Sequence, residues 1–275
     1  MNKKLLALFG LKFNPFSPEV PASALWASDA IQSFCWRIEY QIGEGGFALV
    51  SGDPGVGKSV ALRLLHQRLG DIPDLVSGVL SRPQASLADF YRELGHLFGV
   101  PLSPHNRWNS AKMLREKWLT HQETTLHRPV LLVDEAQEMN PSVFSEVRLL
   151  ASADLDSRSI LTTVLAGDNR LVNRLQSTDL LPIASRVRTR LRIDALPVDQ
   201  LRQCLLHLLK SAGNPGLIAP PLIQTLCEHA MGNARLLTNM AGELLAEAQR
   251  RELDGIDEKL FFEVFNPSAK PSKKR

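Results

Sequence analysis

The sequence predicts an α/β domain with a parallel five-stranded sheet flanked by helices, followed by a small all-helical lid domain. Two observations lead to this prediction. As far as residue 196, short apolar runs alternate with segments of helical periodicity, an order typical of a parallel sheet covered on both faces. From Pro197 onward only helical patterns occur, each begun or ended by Pro, Gly, Asp or Asn.

Each predicted strand is a short apolar run bounded by turn or polar residues. The predicted strands are residues 47–50, 74–80, 128–135, 160–167 and 187–193. The segments between them, such as LADFYRELGHLF and PSVFSEVRLLA, have helical spacing. We expect four parts: an N-terminal segment with the first helix of the α/β domain, the nucleotide-binding α/β domain, the helical lid, and a basic tail. Their predicted limits are 1–46, 47–196, 197–266 and 267–275.

Composition is that of an ordinary globular protein, with 44% hydrophobic and 22% charged residues among 275. With no apolar run near eighteen residues and no secretory leader at Met1, we expect a cytoplasmic protein that does not contact a membrane. Cys35, Cys204 and Cys227 lack the spacing of a disulfide framework or zinc site. A net charge of +3 does not by itself indicate nucleic acid, although KPSKKR ends the chain.

The stretch SGDPGVGKSV, residues 51–60, is the strongest chemical signal. It fits G-x-x-x-x-G-K-[ST] between an apolar strand and a helical segment, the context in which backbone N–H groups surround a phosphate chain. Lys58 is expected to reach the outer phosphates of ATP, and the Ser59 hydroxyl to coordinate Mg²⁺. The residues predicted to bind the nucleotide here are Gly52, Asp53, Pro54, Gly55, Val56, Gly57, Lys58, Ser59 and Val60.

Asp134 and Glu135 follow the apolar run PVLLV directly. A carboxylate at a strand's C-terminal end is expected to face the phosphate loop of the neighbouring strand. Asp134 is the candidate for the Mg²⁺ contact, and Glu135 for polarising the water that attacks the γ-phosphorus. The structural alternative is a pair of helix caps, since carboxylates suit helix N-termini.

Asp168 and Asn169 follow the strand ILTTVLAG, so either one is a candidate to contact the attacking water or the γ-phosphate. Gly-Asp-Asn is also a natural turn sequence, and both interpretations stay open.

Arginines alternate along SRVRTRLRI, which places them on one face of a strand. A solvated edge strand explains most of them. Arg186, at the start of the strand and outside its alternating apolar pattern, is the candidate to reach the nucleotide of a neighbouring subunit. Arg235, in GNARLL, lies where a helix begins, a position that disfavours cations, and this indicates a partner anion such as the γ-phosphate.

Taken together, these segments resemble the AAA+ ATPases of the ExeA-like group, which includes a secretion ATPase and many transposon-encoded ATPases. The resemblance runs nearly end to end and includes FGLKFNPFSP, GFALVSGDPGVGKS, LLVDEAQEM, SEVRLLASAD, LAGDNRL, SRVRTRLRI and GNARLL. It implies Walker A at Lys58 and Ser59, and Walker B at Asp134 and Glu135.

The resemblance also implies sensor 1 at Asp168 or Asn169, an arginine finger at Arg186 and sensor 2 at Arg235. Members of the group often have glutamine at the Asp168 position, so the sensor 1 residue stays undecided. The finger acts across subunits, which implies a ring or a helical filament of this chain. FGLKFNPFSP is expected to dock on a neighbouring subunit or to close its own nucleotide pocket, with both options open.

Secretion members of the group carry a transmembrane segment and a cell-wall-binding region after the ATPase domain, and the present sequence shows neither before Arg275. We therefore expect the compact branch, similar to the transposition regulators TniB, TnsC and MuB. This resemblance implies double-stranded DNA and a transposase as partners, with a target-selection protein left open. Candidate DNA contacts are Arg82, Arg107 and Lys112, although scattered cations are usually a solvated face.

Three functions follow from the sequence. The first is an ATP-dependent DNA-binding oligomer that selects transposition targets. The second is a secretion or protein-assembly ATPase that does not bind DNA. The third is a nucleotide-gated scaffold with slow or lost hydrolysis, which the presence of Glu135 and Arg186 disfavours.

Overall fold

A computed structural model describes residues 3–103, 106–155 and 157–265. The predicted basic tail, 267–275, lies outside the described residues. The chain forms two compact units. One contains the described residues of Met1–Ser28, Gly55–Gly57 and Asp194–Arg275, and the other contains Asp29–Pro54 and Lys58–Ile193. We call them the helical unit and the sheet unit.

The described helices and strands are numbered in chain order. The α-helices are α1 (Lys3–Phe9), α2 (Asp29–Gln41), α3 (Lys58–Gly70), α4 (Leu87–Phe98), α5 (Arg107–Thr125), α6 (Pro141–Ala151), α7 (Asn169–Leu175), α8 (Leu181–Ala184), α9 (Val198–Ala212), α10 (Pro220–His229), α11 (Ala234–Arg250) and α12 (Glu258–Phe265). The strands are β1 (Gly46–Gly52), β2 (Ser77–Leu80), β3 (Val130–Val133), β4 (Ser152–Ala153), β5 (Arg158–Ser159), β6 (Thr162–Gly167) and β7 (Val187–Ile193).

The sheet unit contains a five-stranded sheet in the order β2-β3-β6-β1-β7. All four pairings are parallel, so the strands end at the same edge of the sheet. The fold class predicted from the alternating apolar and helical patterns is therefore confirmed. Strands β3 and β6 are buried along their whole length, as expected for the interior of a parallel sheet that helices cover on both faces.

Helices of the sheet unit bury large side chains against the sheet. In α4, Phe90, Tyr91 and Leu94 recur at helical spacing and are inaccessible to solvent. Trp118 of α5 packs edge-on against Phe98, with ring centroids 5.2 Å apart. This core fixes α4 and α5 on the sheet and leaves the strand ends available for polar residues.

The helical unit consists of α1 and α9–α12 together with the N-terminal segment. Phe9, Leu11 and Phe16 of FGLKFNPFSP are buried in the same apolar cluster as the C-terminal helices. The Lys12 N–H donates to the Ala212 carbonyl at 2.8 Å. The segment up to Ser28 thus packs with the C-terminal helices of its own chain, and α2 belongs to the sheet unit.

None of the helices in the described residues has the length and apolar character needed to cross a membrane.

Candidate functional site

The phosphate loop runs from the end of β1 to the start of α3, as the spacing of its glycines predicts. Lys58 is the first residue of α3 and is buried, with 6% of its surface exposed. Its ammonium group donates to the carbonyl oxygens of Gly52 at 2.9 Å and Asp53 at 3.0 Å. These hydrogen bonds hold the cation inside the loop, at the N-terminus of a helix, where anions are favoured.

Two loop glycines have backbone angles that L-residues rarely adopt. Gly55 has a φ of +87° and Gly57 a φ of +116°. A methyl group on Gly55 would lie 2.3 Å from Oδ1 of Asn233, which caps the start of α11. Gly57 has open space around it, so its requirement for glycine is one of backbone conformation alone. The loop's shape therefore depends on glycine at both positions.

Asp134 and Glu135 lie at the end of β3, but one expectation about them was wrong. We expected β3 to neighbour the strand of the phosphate loop, whereas β6 lies between β3 and β1. Apolar runs reveal that strands exist but not which strands pair, and here the later strand β6 is inserted. Consequently the residues that follow β6 stand between the carboxylates and the phosphate loop along the edge.

The backbone at Glu135 is in the left-handed region, with φ 50° and ψ 40°. Its N–H donates to Oδ1 of Asp134 at 2.9 Å. A non-glycine residue in this conformation costs about 1–3 kcal/mol, and such residues cluster at functional sites. The turn exposes the Glu135 side chain, while Asp134 is half-buried.

Gln137, which the sequence motifs did not single out, is 5% exposed and touches the ends of both β3 and β6. Its Nε2 donates to Oε2 of Glu135, and its Oε1 accepts the Asp168 N–H at 3.3 Å. The signal was present in DEAQEM, where a glutamine stands two residues after the predicted catalytic glutamate.

Asp168 and Asn169, the two candidates at the end of β6, make different contacts. The Asn169 amide donates to Oδ1 of Asp53 in the phosphate loop at 3.0 Å. Asp168 caps α7 by accepting the Arg170 N–H at 2.8 Å, and it also accepts from Nε of Arg170 at 2.9 Å. Asn169 therefore reaches the phosphate loop, while the Asp168 carboxylate acts as a helix cap.

Charge surrounding Asp168 keeps it ionised. Burial alone would raise the pKa of this carboxyl, but hydrogen bonds from the Arg170 side chain and backbone outweigh burial and lower it. The Lys58 ammonium also favours the carboxylate form. Asp168 thus contributes a fixed negative charge close to the phosphate loop.

Strand β7 carries the alternating arginines at the edge of the sheet. Arg188, Arg190 and Arg192 are exposed, whereas Thr189, Leu191 and Ile193 point into the core. Arg186 precedes the strand, is half-buried, and donates to the Pro182 carbonyl. The edge-strand interpretation of the other arginines is confirmed, and a role of Arg186 at another subunit's nucleotide stays a prediction.

Arg235 is the second residue of α11 and is exposed, as GNARLL predicted. Within the helical unit its backbone N–H donates to the carbonyl of Gly55 at 3.1 Å. The helix start is therefore joined to a phosphate-loop glycine through the backbone. Contact between the Arg235 guanidinium and a phosphate stays a prediction.

The three candidate DNA contacts differ in their intramolecular roles. Arg82 is an exposed loop residue after β2. Lys112 lies 5.7 Å from the centre of the exposed Trp108 ring and 3.8 Å from the Glu116 carboxylate. Arg107 pairs with Glu146, a carboxylate only 4% exposed. Arg107 thus neutralises a buried charge, and its candidacy for DNA contact competes with that structural task.

The donor set suits a hard cation. Ser59 supplies a hydroxyl oxygen at the start of α3, and Asp134 supplies a carboxylate oxygen at the end of β3. Hydroxyl and carboxylate oxygens, together with phosphate oxygens, are the ligands that Mg²⁺ prefers. Among the described residues no group of three or more His, Cys, Asp or Glu side chains forms a self-sufficient metal site.

Comparison with known proteins agrees with this geometry. Residues 41–175, which hold the phosphate loop and the ends of β3 and β6, match the family model of an AAA domain. The chain has the AAA P-loop fold. General secretion pathway protein A of Aeromonas hydrophila is 27% identical over 249 residues, which cover 88% of this chain and 44% of the relative. The chain therefore spans less than half of this relative.

Solved structures with the same fold include Cdc6p of Pyrobaculum aerophilum, with a TM-score of 0.69, 21% identity, and 88% of this chain and 67% of that chain covered. Drosophila ORC bound to DNA gives a TM-score of 0.68 at 17% identity, over 99% of this chain and 67% of that chain. A RuvB variant of Thermotoga maritima gives a TM-score of 0.62 at 17% identity, over 92% of this chain and 74% of that chain. At such identities the likeness concerns the fold alone.

Proposed function

We propose that this chain is a Mg²⁺-dependent ATPase that assembles on DNA and regulates transposition by selecting target sites and recruiting a transposase. The observation that carries the ATPase part is the convergence of chemistry at one edge of the sheet. Lys58 follows β1, Asn169 follows β6, and Glu135 follows β3, on strands that are consecutive in the sheet. The residues that we assign to phosphate binding, phosphate sensing and water activation therefore follow adjacent strands.

Each residue has a distinct task in the proposed reaction. Lys58 binds the outer phosphates, and the Glu135 carboxylate orients and polarises the attacking water. Asn169 senses the γ-phosphate from the neighbouring strand end. Mg²⁺, when held by Ser59 and Asp134, supplies neutralisation of phosphate charge.

Assembly is part of the same proposal. Arg235 and a neighbouring subunit's Arg186 would add positive charge at the γ-phosphate. Stabilisation of this kind by an arginine supplied in trans is typically worth 10³–10⁵ in rate. Nucleotide binding would then favour a ring or filament, because two copies of the chain complete one site.

Support for DNA as the partner comes from two sources. The fold is shared with an origin recognition complex solved bound to DNA, and the motifs resemble those of transposition regulators. Arg82 and Lys112 are exposed cations that suit phosphate contacts. The alternative is a secretion or protein-assembly ATPase without DNA, which the similarity to General secretion pathway protein A favours.

The catalytic assignment is tested by two substitutions measured in parallel for ATP binding and steady-state turnover. Glu135→Gln should retain nucleotide affinity and lower kcat by about 10²–10⁴-fold, because the general base is lost. Lys58→Ala should weaken ATP binding itself. Rapid hydrolysis by Glu135→Gln would refute the assignment of the base.

The partner is tested by binding to a random-sequence duplex with ATP, a non-hydrolysable analogue, ADP or no nucleotide, at two salt concentrations. We expect triphosphate-dependent binding that weakens steeply with salt, since counterions are released from DNA phosphates. Electron microscopy should show rings or filaments on the DNA. Absence of DNA binding with every nucleotide would favour the protein-assembly alternative.

A further inference from the structure

Gln137 is a buried polar side chain to which the proposed reaction assigns no task. It lies in a short 3-10 turn, Ala136–Glu138, directly after Glu135, and only 5% of its surface is exposed. A carboxamide offers two N–H donors and two acceptor sites, and its burial is costly unless these are used. The partners of this amide therefore indicate why it is there.

Both ends of the Gln137 side chain are hydrogen-bonded to predicted site residues. Nε2 donates to Oε2 of Glu135, and Oε1 accepts the backbone N–H of Asp168 at 3.3 Å. The Gln137 backbone carbonyl accepts from the Arg174 guanidinium, which also donates to the Met139 carbonyl at 2.9 Å. One amide thus links the ends of the neighbouring strands β3 and β6.

The end of β6 packs closely against this amide and against the Leu171 side chain. A methyl group on Gly167 would lie 2.5 Å from Oε1 of Gln137, which is closer than non-bonded atoms approach. Gly167 does not have a left-handed backbone, so glycine is needed there for space rather than for conformation. The strained turn at Glu135 is the second sign of constraint, because such conformations persist only when neighbouring contacts enforce them.

We propose that Gln137 is a positioning residue for ATP hydrolysis. Its N–H holds the Glu135 carboxylate in one orientation for water activation, and its carbonyl fixes that orientation relative to the end of β6. This inference rests on the proposed ATPase function. An exposed glutamate would otherwise sample several rotamers, and loss of a reactive geometry costs rate even when binding is intact.

Two substitutions of equal size separate positioning from structural support. Gln137→Glu keeps an acceptor for the Asp168 N–H but replaces the donor to Glu135 by a second carboxylate, which repels the first. Gln137→Met removes both hydrogen bonds. Gln67→Met, at an exposed position on α3, is the matched control.

Steady-state hydrolysis, equilibrium ATP binding and thermal unfolding are measured for the full chain and each variant. We expect both Gln137 variants to lower kcat about 10–100-fold, the usual cost of losing a partner that orients a reactive ligand. ATP affinity should stay within about threefold of the original, and Gln67→Met should match the original protein. If Gln137→Glu retains full kcat, or if either variant hydrolyses faster, Gln137 does not position the base.

A double-mutant cycle with Glu135→Gln provides a readout that a purely structural role would not affect. Because Gln137 is proposed to act through Glu135, adding Gln137→Met to Glu135→Gln should reduce residual turnover no further. Fully additive losses would overturn the proposal. A chain that hydrolyses ATP but binds no DNA would overturn the transposition function and leave this inference standing. A chain with no hydrolysis under any condition would overturn both.

Discussion

Replacing Gly55 by alanine should loosen the start of α11, and the structure gives the size of the effect. Gly55 has a φ of +87°, which costs an L-residue about 1–2 kcal/mol. The new methyl group would also lie 2.3 Å from Oδ1 of Asn233, a flexible side chain that can rotate away. That rotation breaks the hydrogen bond by which Asn233 accepts the Leu236 N–H, and loss of such a cap costs about 1 kcal/mol.

The matched control is Gly99→Ala at the end of α4. Gly99 has a φ of +63° but nothing within 4 Å of the added methyl group. Its substitution therefore introduces backbone strain without a steric clash. Hydrogen exchange is measured without nucleotide on peptides that cover the first turns of α11. Loss of about 1 kcal/mol of local stability should speed exchange there about fivefold in Gly55→Ala and leave it unchanged in Gly99→Ala. Unchanged exchange in both variants would refute the coupling.

Two further predictions concern buried groups. Arg107→Ala should lower the free energy of unfolding, measured in urea, by about 1–2 kcal/mol. The loss is smaller than for a fully buried ion pair because the Arg107 side chain is half exposed. Adding Glu146→Gln to this variant should recover part of the lost stability, because the unpaired buried charge is removed. If Glu146→Gln recovers none of the loss caused by Arg107→Ala, the Glu146 pairing is not responsible. Burial raises the pKa of Cys35 and Cys227 to about 11, so a thiol reagent at pH 8 should modify them only after denaturation. Fast labelling of Cys35 or Cys227 in the native chain, located by mass spectrometry, would contradict their burial.

Where local signals were strong, sequence and structure agree to the residue. Strand β7 has the same bounds as the predicted run VRTRLRI, because alternate positions of this strand face core and solvent. Helix α6 starts at Pro141, a residue suited to a first helical turn, and α4 starts directly after the capping Ser86. These boundaries depend on neighbours in sequence, so sequence patterns were sufficient to find them.

Features that depend on tertiary pairing were not predicted. Strands β4 and β5 form a two-stranded antiparallel hairpin that includes Asp154 and Leu155 in left-handed conformations. Asp154 suits a turn, but Leu155 does not favour the left-handed region, so the segment lacks the glycine pattern that usually indicates a tight hairpin. The strand order likewise placed β6 beside β3, and only that adjacency brings Gln137 into contact with both strand ends. The residue types of the site could be predicted from the sequence. Its hydrogen bonds could not, because they depend on which strands are neighbours in the sheet.

The arginines of β7 also affect whether two copies of the chain can pair through the borders of their sheets. Among the described strands β7 lies at one border of this sheet, and a border strand can recruit strands from other molecules. Arg188, Arg190 and Arg192 expose charged side chains along β7, with Arg188 paired to Glu44 at 2.5 Å, and Arg37 donates to the Arg190 carbonyl at 3.4 Å. Charged side chains along a border strand disfavour its pairing with an identical strand, so β7 is a poor template for edge-to-edge aggregation.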